Sequence, residues 1–241
     1  MNREELRRRL VENFFDDNPL WQAVRRIRRL YDCAMGGDFC PDWARSMVRR
    51  FIEELYVPPV GFEPVIDEIN KRGGNFVMRY AWFKFCVAFV LEPKTIVELG
   101  VGCGVAARAF LRACPMMNYW GIDDQSQYGD KTAWLGTVNN EVLTEHGLWA
   151  RKVADTSTLL ELPSGDLVHV DAQHDFEHCR HDVTMALKAA PWVLVDDTRH
   201  TFLAHATMKA FDQYRPGAFE WAYFEDTFTG DILLYRERVR E

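Results

Sequence analysis

The chain has 241 residues, enough for one sizeable α/β domain with an appendage, and length alone does not require two domains. Hydrophobic residues make up 48% of it and charged residues 27%, which is ordinary for a soluble globular protein. The formal net charge of −7 argues against a nucleic-acid partner, because binding to phosphates needs a basic surface.

The cysteines and the N-terminal residues indicate the cellular compartment of the protein. The six cysteines show no CxxC or other ligand-like spacing, and several lie in apolar patterns, which predicts buried thiols in a reducing compartment. The first residues carry acids and lack the apolar core of a signal peptide. The most apolar segment, 80–91, contains Lys84 and is too short to span a bilayer. We therefore expect a cytoplasmic protein with no membrane partner.

The N-terminal part of the sequence is predicted to be helical. Residues 1 to about 57 show amphipathic helical patterns, interrupted by glycines at 36–37 and Pro41 and ended by prolines at 58–59. A further helix is predicted over about 76–90. We therefore divide the chain into a helical N-terminal region, 1–92, and a second region, 93–241. The arginine-rich N-terminal helices are expected either to close over the site as a lid or to pack into a homodimer.

From Thr95 onward, strands alternate with helices. Short apolar strands separated by helices imply a parallel sheet that is covered on both faces. The last two strands flank a short turn at 226–230 and predict an antiparallel pair that closes a mainly parallel, seven-stranded α/β sheet. The predicted strands are 95–99, 118–122, 150–153, 166–170, 191–195, 219–225 and 231–236, and the predicted helices are about 104–113, 131–146, 176–189 and 200–213.

The most informative motif is the stretch IVELGVGCG at 96–104, an apolar run with an acid, Glu98, followed by three alternate glycines, Gly100, Gly102 and Gly104. Strand, glycine-rich turn and helix together bring the backbone close to a nucleotide-like ligand, and glycine permits positive φ. A dinucleotide fingerprint would need glycine at position 105, where this chain has Val105.

Acids follow the next two strands. Asp123 ends the second strand about 20 residues past the glycines, where a carboxylate accepts hydrogen bonds from both ribose hydroxyls, and Asp124 can substitute for it. Because dehydrogenases and methyltransferases share this acid, it predicts a ribose without naming the cofactor. Asp155, after the third strand, is predicted to meet an adenine amino group or to cap a helix.

Further acids follow the fourth and fifth strands. Asp171 ends the fourth strand with His174 three residues later, and Asp196 and Asp197 end the fifth. Ligands of an open parallel sheet gather at these strand ends, so the three carboxylates are expected to converge beside the glycine loop. Such acids repel one another unless a cation balances them or some are protonated, and oxygen ligands favour Mg²⁺.

Together these motifs resemble the class I S-adenosylmethionine-dependent methyltransferases. Within that class they are similar to the branch of cephalosporin hydroxylase-like proteins and mycinamicin-type sugar O-methyltransferases, and more distantly to catechol O-methyltransferase. The resemblance covers roughly residues 94–235 and departs from the branch at Ala172 and Gln173, where a glycine and an aspartate are usual. It is carried by the Glu98 and glycine motif, by Asp171, His174, Phe176, Glu177 and Asp182 in that order, and by Asp196 and Asp197.

The resemblance implies a Rossmann-like fold and methyl transfer from S-adenosylmethionine to a hydroxyl of a small metabolite of natural-product or sugar type. It also implies that the glycines contact the methionine moiety and that Glu98 orders the loop or reaches the ligand's amino group. Asp171, Asp196 and Asp197 would then bind Mg²⁺, and His174 would be the general base.

Three alternatives stay open at this point. One is a methyltransferase without a metal, in which the acids cap helices and His174 alone is the base. Another is a nicotinamide-dependent oxidoreductase, disfavoured by Val105 and by the antiparallel end of the sheet. The last is a non-catalytic module that keeps the fold for interactions.

Overall fold

The computed structural model of the protein describes residues 18–36, 40, 42–51, 67, 71, 77–102, 104–123, 149–152, 159–214 and 219–236. The helix predicted at 131–146 lies outside these residues, as do Asp124 and Asp155. Within the described residues the chain is a mixed α/β fold built on one sheet, as the sequence predicts.

The N-terminal region contributes helices α1 (Pro19–Ala34) and α2 (Asp42–Arg50), then a π-helical turn (Val77–Ala81) that runs into α3 (Trp82–Leu91). Helix α1 begins at Pro19 because the Asn18 side chain accepts hydrogen bonds from the first amides of the helix, and proline suits the first helical position. The helical character predicted for this part of the chain is confirmed where the structure describes it, over 19–34, 42–50 and 77–91.

In the part of the chain that the structure describes, seven strands form one sheet in the order β3-β2-β1-β4-β5-β7-β6. Strands β1 to β5 are parallel, whereas β7 runs antiparallel to both β5 and β6. The predicted mainly parallel sheet closed by an antiparallel hairpin is therefore confirmed. The strands are β1 (Thr95–Leu99), β2 (Asn118–Asp123), β3 (Trp149–Lys152), β4 (Leu167–Val170), β5 (Trp192–Val195), β6 (Phe219–Phe224) and β7 (Asp231–Arg236).

Helices cover both faces of the sheet. Helices α4 (Val105–Ala113), α5 (Phe176–Ala189) and α6 (Thr201–Tyr214) connect or follow the parallel strands. Ile96 of β1 belongs to a hydrophobic cluster with residues of α1, α3 and α4, whereas the next residue, Val97, belongs to a second cluster with residues of α5 and α6. The N-terminal helices thus share a hydrophobic core with one face of the sheet. Among the helices that the structure describes, none has both the length and the apolar character needed to cross a membrane.

Strand alternation decides which polar side chains face α3 and α4. Glu98 lies two residues after Ile96 on β1, so the two side chains point to the same face of the sheet. The residue that pairs with Glu98 on β4 is His169. On the far side, Val195 of β5 pairs with Ile232 of β7, so Asp196 and Asp231 come next to each other where these two strands meet. These positions place a row of buried polar groups under the carboxyl ends of the parallel strands.

Candidate active site

The glycine loop connects β1 to α4 through three left-handed residues. The φ angles are +83° at Gly100, +52° at Gly102 and +78° at Gly104, values that glycine adopts without strain. At Gly100 there is a second constraint, because an added Cβ would lie 1.8 Å from the backbone oxygen of Asp171. The loop therefore packs directly on the end of β4, and glycine at position 100 is required by this internal contact.

Asp123 ties the end of β2 to the same loop. Its Oδ2 accepts a hydrogen bond of 2.8 Å from the Gly102 amide. Gly104, the N-cap residue of α4, has no side chain with which to cap the helix, so the loop presents backbone at the mouth of the site. A carboxylate at the end of β2 beside a glycine turn fits the ribose of a nucleoside ligand.

Glu98 lies beneath the loop and is 1% exposed. One carboxylate oxygen accepts a hydrogen bond from the Tyr119 hydroxyl, and the other lies 3.0 Å from Nδ1 of His169. With both oxygens engaged inside the protein, Glu98 is placed to hold the strand ends together and order the loop. Of the two roles that the resemblance implies for it, the structure favours this one.

Asp171, His174 and Asp197 come together at the ends of β4 and β5. Nε2 of His174 lies 2.8 Å from Oδ2 of Asp197 and 3.5 Å from Oδ1 of Asp171. The three potential ligand atoms all lie within 4.8 Å of one another, a spacing at which they could share one metal ion. His174 is the most exposed of the three, with 44% of its side chain accessible, so the cluster opens to solvent.

The electrostatics of this cluster favour positive charge. Burial, with the neighbouring Asp196, raises the pKa of Asp171 to about 6, against the opposing effect of the hydrogen bond with His174. Hydrogen bonds to Asp171 and Asp197 raise the pKa of His174 to about 10. Without another cation, His174 is thus an imidazolium at neutral pH that balances the two carboxylates.

Asp196 has different partners from Asp197, although the two are adjacent in the chain. The Asp197 backbone has a φ of +55°, and its amide donates a hydrogen bond of 2.8 Å to Oδ1 of Asp196. The Thr229 hydroxyl donates to the same oxygen. Oδ2 lies 3.1 Å from Nζ of Lys84, an ion pair between two fully buried side chains. Burial alone would raise the pKa of Asp196, but Lys84, together with His169 and the hydrogen bonds from Thr229 and the Asp197 amide, lowers it below its usual value.

Sequence reasoning missed Tyr80 and Lys84, which lie before the strand–helix region. The Tyr80 hydroxyl donates a hydrogen bond of 2.8 Å to Oδ2 of Asp171, and Lys84 pairs with both Asp196 and Asp231. One signal was present in the sequence, since Lys84 is the single charged residue of an otherwise apolar α3. A buried lysine needs an acidic partner, but its sequence position does not say which.

Three residues that carry the resemblance lie on α5. Phe176 packs edge-on against His205, and Glu177 forms an ion pair of 2.8 Å with Arg180 at the start of the helix. Asp182 is fully buried. None of the three appears in the groups of acids and histidines that could hold a metal among the described residues.

This sheet order, with a glycine loop after β1 and acids after the following strands, belongs to a fold that solved class I methyltransferases share. Residues 97–198 match the sequence model of a family described as a methyltransferase domain. The matched residues, 97–198, therefore carry a methyltransferase domain. No curated protein matches its sequence.

Solved methyltransferase structures share the fold. A methyltransferase from Geobacter sulfurreducens superposes with a TM-score of 0.52 at 14% identity, over 80% of this chain and 98% of that one. An O-methyltransferase from Bacillus cereus, in complex with SAH, gives 0.52 at 10% identity, over 80% and 97%. TomG from Streptomyces achromogenes, an O-methyltransferase involved in tomaymycin synthesis and solved with SAM, gives 0.50 at 13% identity, over 80% and 96%.

Proposed function

We propose that this enzyme transfers the methyl group of S-adenosylmethionine to a hydroxyl oxygen of a small metabolite, of natural-product or sugar type. One observation carries the proposal: the glycine loop packs directly on Asp171. The predicted cofactor-binding loop and the cluster of Asp171, His174 and Asp197 therefore lie at the same edge of the sheet. The sequence match to a methyltransferase domain and the O-methyltransferases of the same fold support it.

The residues that would hold the cofactor are those of the loop. Gly102 and Gly104 supply backbone without side chains, and Asp123 would accept hydrogen bonds from the ribose hydroxyls while it stays tied to the Gly102 amide. Asp155 is proposed to meet the adenine amino group. The chain's main contribution is to position the acceptor, because the sulfonium methyl is electrophilic already.

The donor set at the acid cluster fits Mg²⁺. Asp171 and Asp197 offer carboxylate oxygens, and the spacing of their ligand atoms and that of His174, all within 4.8 Å of one another, would let them share one ion. When bound, Mg²⁺ supplies a Lewis acid that lowers the pKa of the acceptor hydroxyl. Asp196, the third acid predicted for the metal, is adjacent but is held by Lys84.

His174 is the proposed general base. Its Nε2 lies among the acids that would orient the acceptor, and its partial exposure leaves it accessible to substrate. While His174 alone balances two carboxylates, its pKa of about 10 keeps it protonated and unable to take a proton. It can act as a base only when another positive charge relieves it of this role.

A metal-independent methyltransferase is a second candidate, and a specific observation favours it. His174 and Lys84 already bring two positive charges to the acids, so part of the charge balance exists without an ion. In that case His174 stays largely protonated, and methyl transfer would rise with pH toward 10.

Methyl transfer with and without the metal tests both candidates. Purified protein is incubated with methyl-labelled S-adenosylmethionine and a panel of hydroxylated metabolites, in Mg²⁺ or in EDTA, beside a His174→Gln variant. We expect label in an acceptor only with Mg²⁺ and a loss of at least a hundredfold in the variant. Full activity in EDTA would support the second candidate. Reduction of a substrate by NADH without label transfer would refute both.

A further inference from the structure

We propose that the ammonium group of Lys84 permanently balances the charge of Asp196. Asp196 is then a positioning residue, and Asp171 and Asp197 are the acids that bind the divalent ion. The inference rests on the proposed function as far as the divalent ion is concerned. The role of Lys84 itself rests only on contacts between described residues.

Lys84 is fully buried on α3 with two acidic partners. Its Nζ lies 3.1 Å from Oδ2 of Asp196 and forms a second ion pair with Oδ1 of Asp231. The ring centroids of Tyr80 and Phe83 lie 4.8 Å and 5.6 Å from the same nitrogen. Two carboxylates in contact with one buried nitrogen stabilise its charged form. The side chain is therefore an ammonium.

The charge of Asp196 is already balanced, although one ligand atom each of Asp196, Asp171 and His169 lies within 4.8 Å of the other two. Oδ1 of Asp196 already accepts hydrogen bonds from the Thr229 hydroxyl and the Asp197 amide. Oδ2 faces the ammonium on one side and, at 3.9 Å, the buried Nε2 of His169, which has no hydrogen-bond partner among the described residues. An ion in contact with Oδ2 would lie beside Lys84 in a buried environment, where like charges repel strongly.

The same helical segment also holds Asp171. Tyr80 precedes Lys84 by one helical turn, so both side chains project from the same side of the segment. Tyr80 binds Oδ2 of Asp171, whose Oδ1 is the oxygen on the side of His174. A tyrosine and a lysine outside the matched residues 97–198 thus fix two of the strand-end acids. Asp171 keeps Oδ1 toward His174, whereas both oxygens of Asp196 already have protein partners.

Binding of Mg²⁺ alone, measured by calorimetry on the full chain, separates the acids. We expect Asp196→Asn to change the dissociation constant less than threefold, and the matched variant Asp197→Asn to raise it at least tenfold. We also expect Lys84→Met to tighten binding at least threefold, because the repelling charge is gone and Asp196 is released. An equal loss of affinity in Asp196→Asn and Asp197→Asn would overturn the proposal, as would weaker binding in a folded Lys84→Met protein.

Unfolding experiments test Lys84 independently of any metal. In EDTA, Asp196→Asn and Asp231→Asn each leave the ammonium one carboxylate, but the double variant leaves it none. If the two effects were independent, the double variant would raise the unfolding equilibrium constant by the product of the two single-variant factors. We expect a factor at least ten times larger than that product, or a double variant that fails to fold while both single variants fold. Additive losses would overturn the role of Lys84. If wild type binds no Mg²⁺ but the losses are non-additive, the metal half of the proposed function fails while Lys84 keeps its role.

Discussion

Replacement of Gly100 by alanine tests how tightly the glycine loop is joined to the acid cluster. At Gly100 the new Cβ would lie 1.8 Å from the Asp171 oxygen, so that oxygen would have to retreat by roughly 1 Å even for a tight contact. Gly36, at the end of α1, provides a matched control. Its φ of +85° is nearly the same as the +83° of Gly100, but none of the described residues lies within 4 Å of its added Cβ.

The two substitutions share the cost of a left-handed alanine, about 1–2 kcal/mol. Gly100→Ala adds the cost of overpacking, about 1–3 kcal/mol, so we expect a total loss of roughly 2–5 kcal/mol in the free energy of unfolding. Because Asp171 moves with its backbone, Gly100→Ala should also lower methyl transfer by about a hundredfold, the usual effect of a 1 Å misplacement at a reacting centre. Gly36→Ala should leave transfer unchanged.

The assay is urea unfolding of both variants, followed by calorimetry with Mg²⁺ and with S-adenosylhomocysteine. The ratio of the two unfolding constants removes the shared backbone cost and isolates the contact with Asp171. The reasoning is refuted if Gly100→Ala is no less stable than Gly36→Ala, or if it binds both ligands as wild type does.

Three further predictions concern single side chains. Tyr80→Phe removes a hydrogen bond to Asp171, and we expect urea unfolding to show a loss of about 1.5–3 kcal/mol, typical of a bond to a charged acceptor. In metal-free protein, NMR titration should find the pKa of His174 near 10 and much lower in Asp197→Asn. Because the folded pKa exceeds the ordinary 6.5, the stability that His174 contributes is fully present below pH 6.5 and is lost as pH rises through about 10. Asp175→Ala removes the N-cap of α5, where the Asp175 carboxylate accepts hydrogen bonds from two backbone amides, and should cost about 1 kcal/mol.

Each of these predictions has an outcome that contradicts it. An unchanged unfolding midpoint in Tyr80→Phe would mean that the hydroxyl gains as much from water as from Asp171. A His174 pKa near 6.5 in wild type would show that the carboxylates do not hold its proton. For the N-cap, Asp175→Asn serves as the control, since asparagine caps helices about as well as aspartate, and it should be more stable than the alanine variant.

The sheet could be predicted from the sequence because its strands are short apolar runs bounded by residues that end secondary structure, such as proline and glycine. The first strand is found at 95–99, as predicted, between Pro93 and the glycine loop. The antiparallel ending was also visible, since two strands separated by only the turn at 226–230 leave no room for a crossover helix. The lid or dimer role of the N-terminal region, and its division from the rest at residue 92, stay predictions.

The site could be predicted only as far as local rules reach. The rule that ligands gather at the carboxyl ends of parallel strands brought Asp171 and Asp197 together. Strand alternation would have placed Glu98 on the same face as Ile96, turned into the protein, but the resemblance drew attention to the ligand instead. The pairing of Lys84 with Asp231, 147 residues away, depends on how α3 packs on the sheet, and no local pattern encodes it.

Calorimetry of the wild-type chain with S-adenosylhomocysteine, with and without Mg²⁺, tests the central claim most directly. The account predicts that one S-adenosylhomocysteine binds per chain, that Asp123→Ala weakens it at least tenfold, and that NADH does not bind. It also predicts a Mg²⁺ site that is lost in Asp197→Asn. Binding of NADH in place of S-adenosylhomocysteine, or of neither, would contradict the assignment of the glycine loop to a methyl donor.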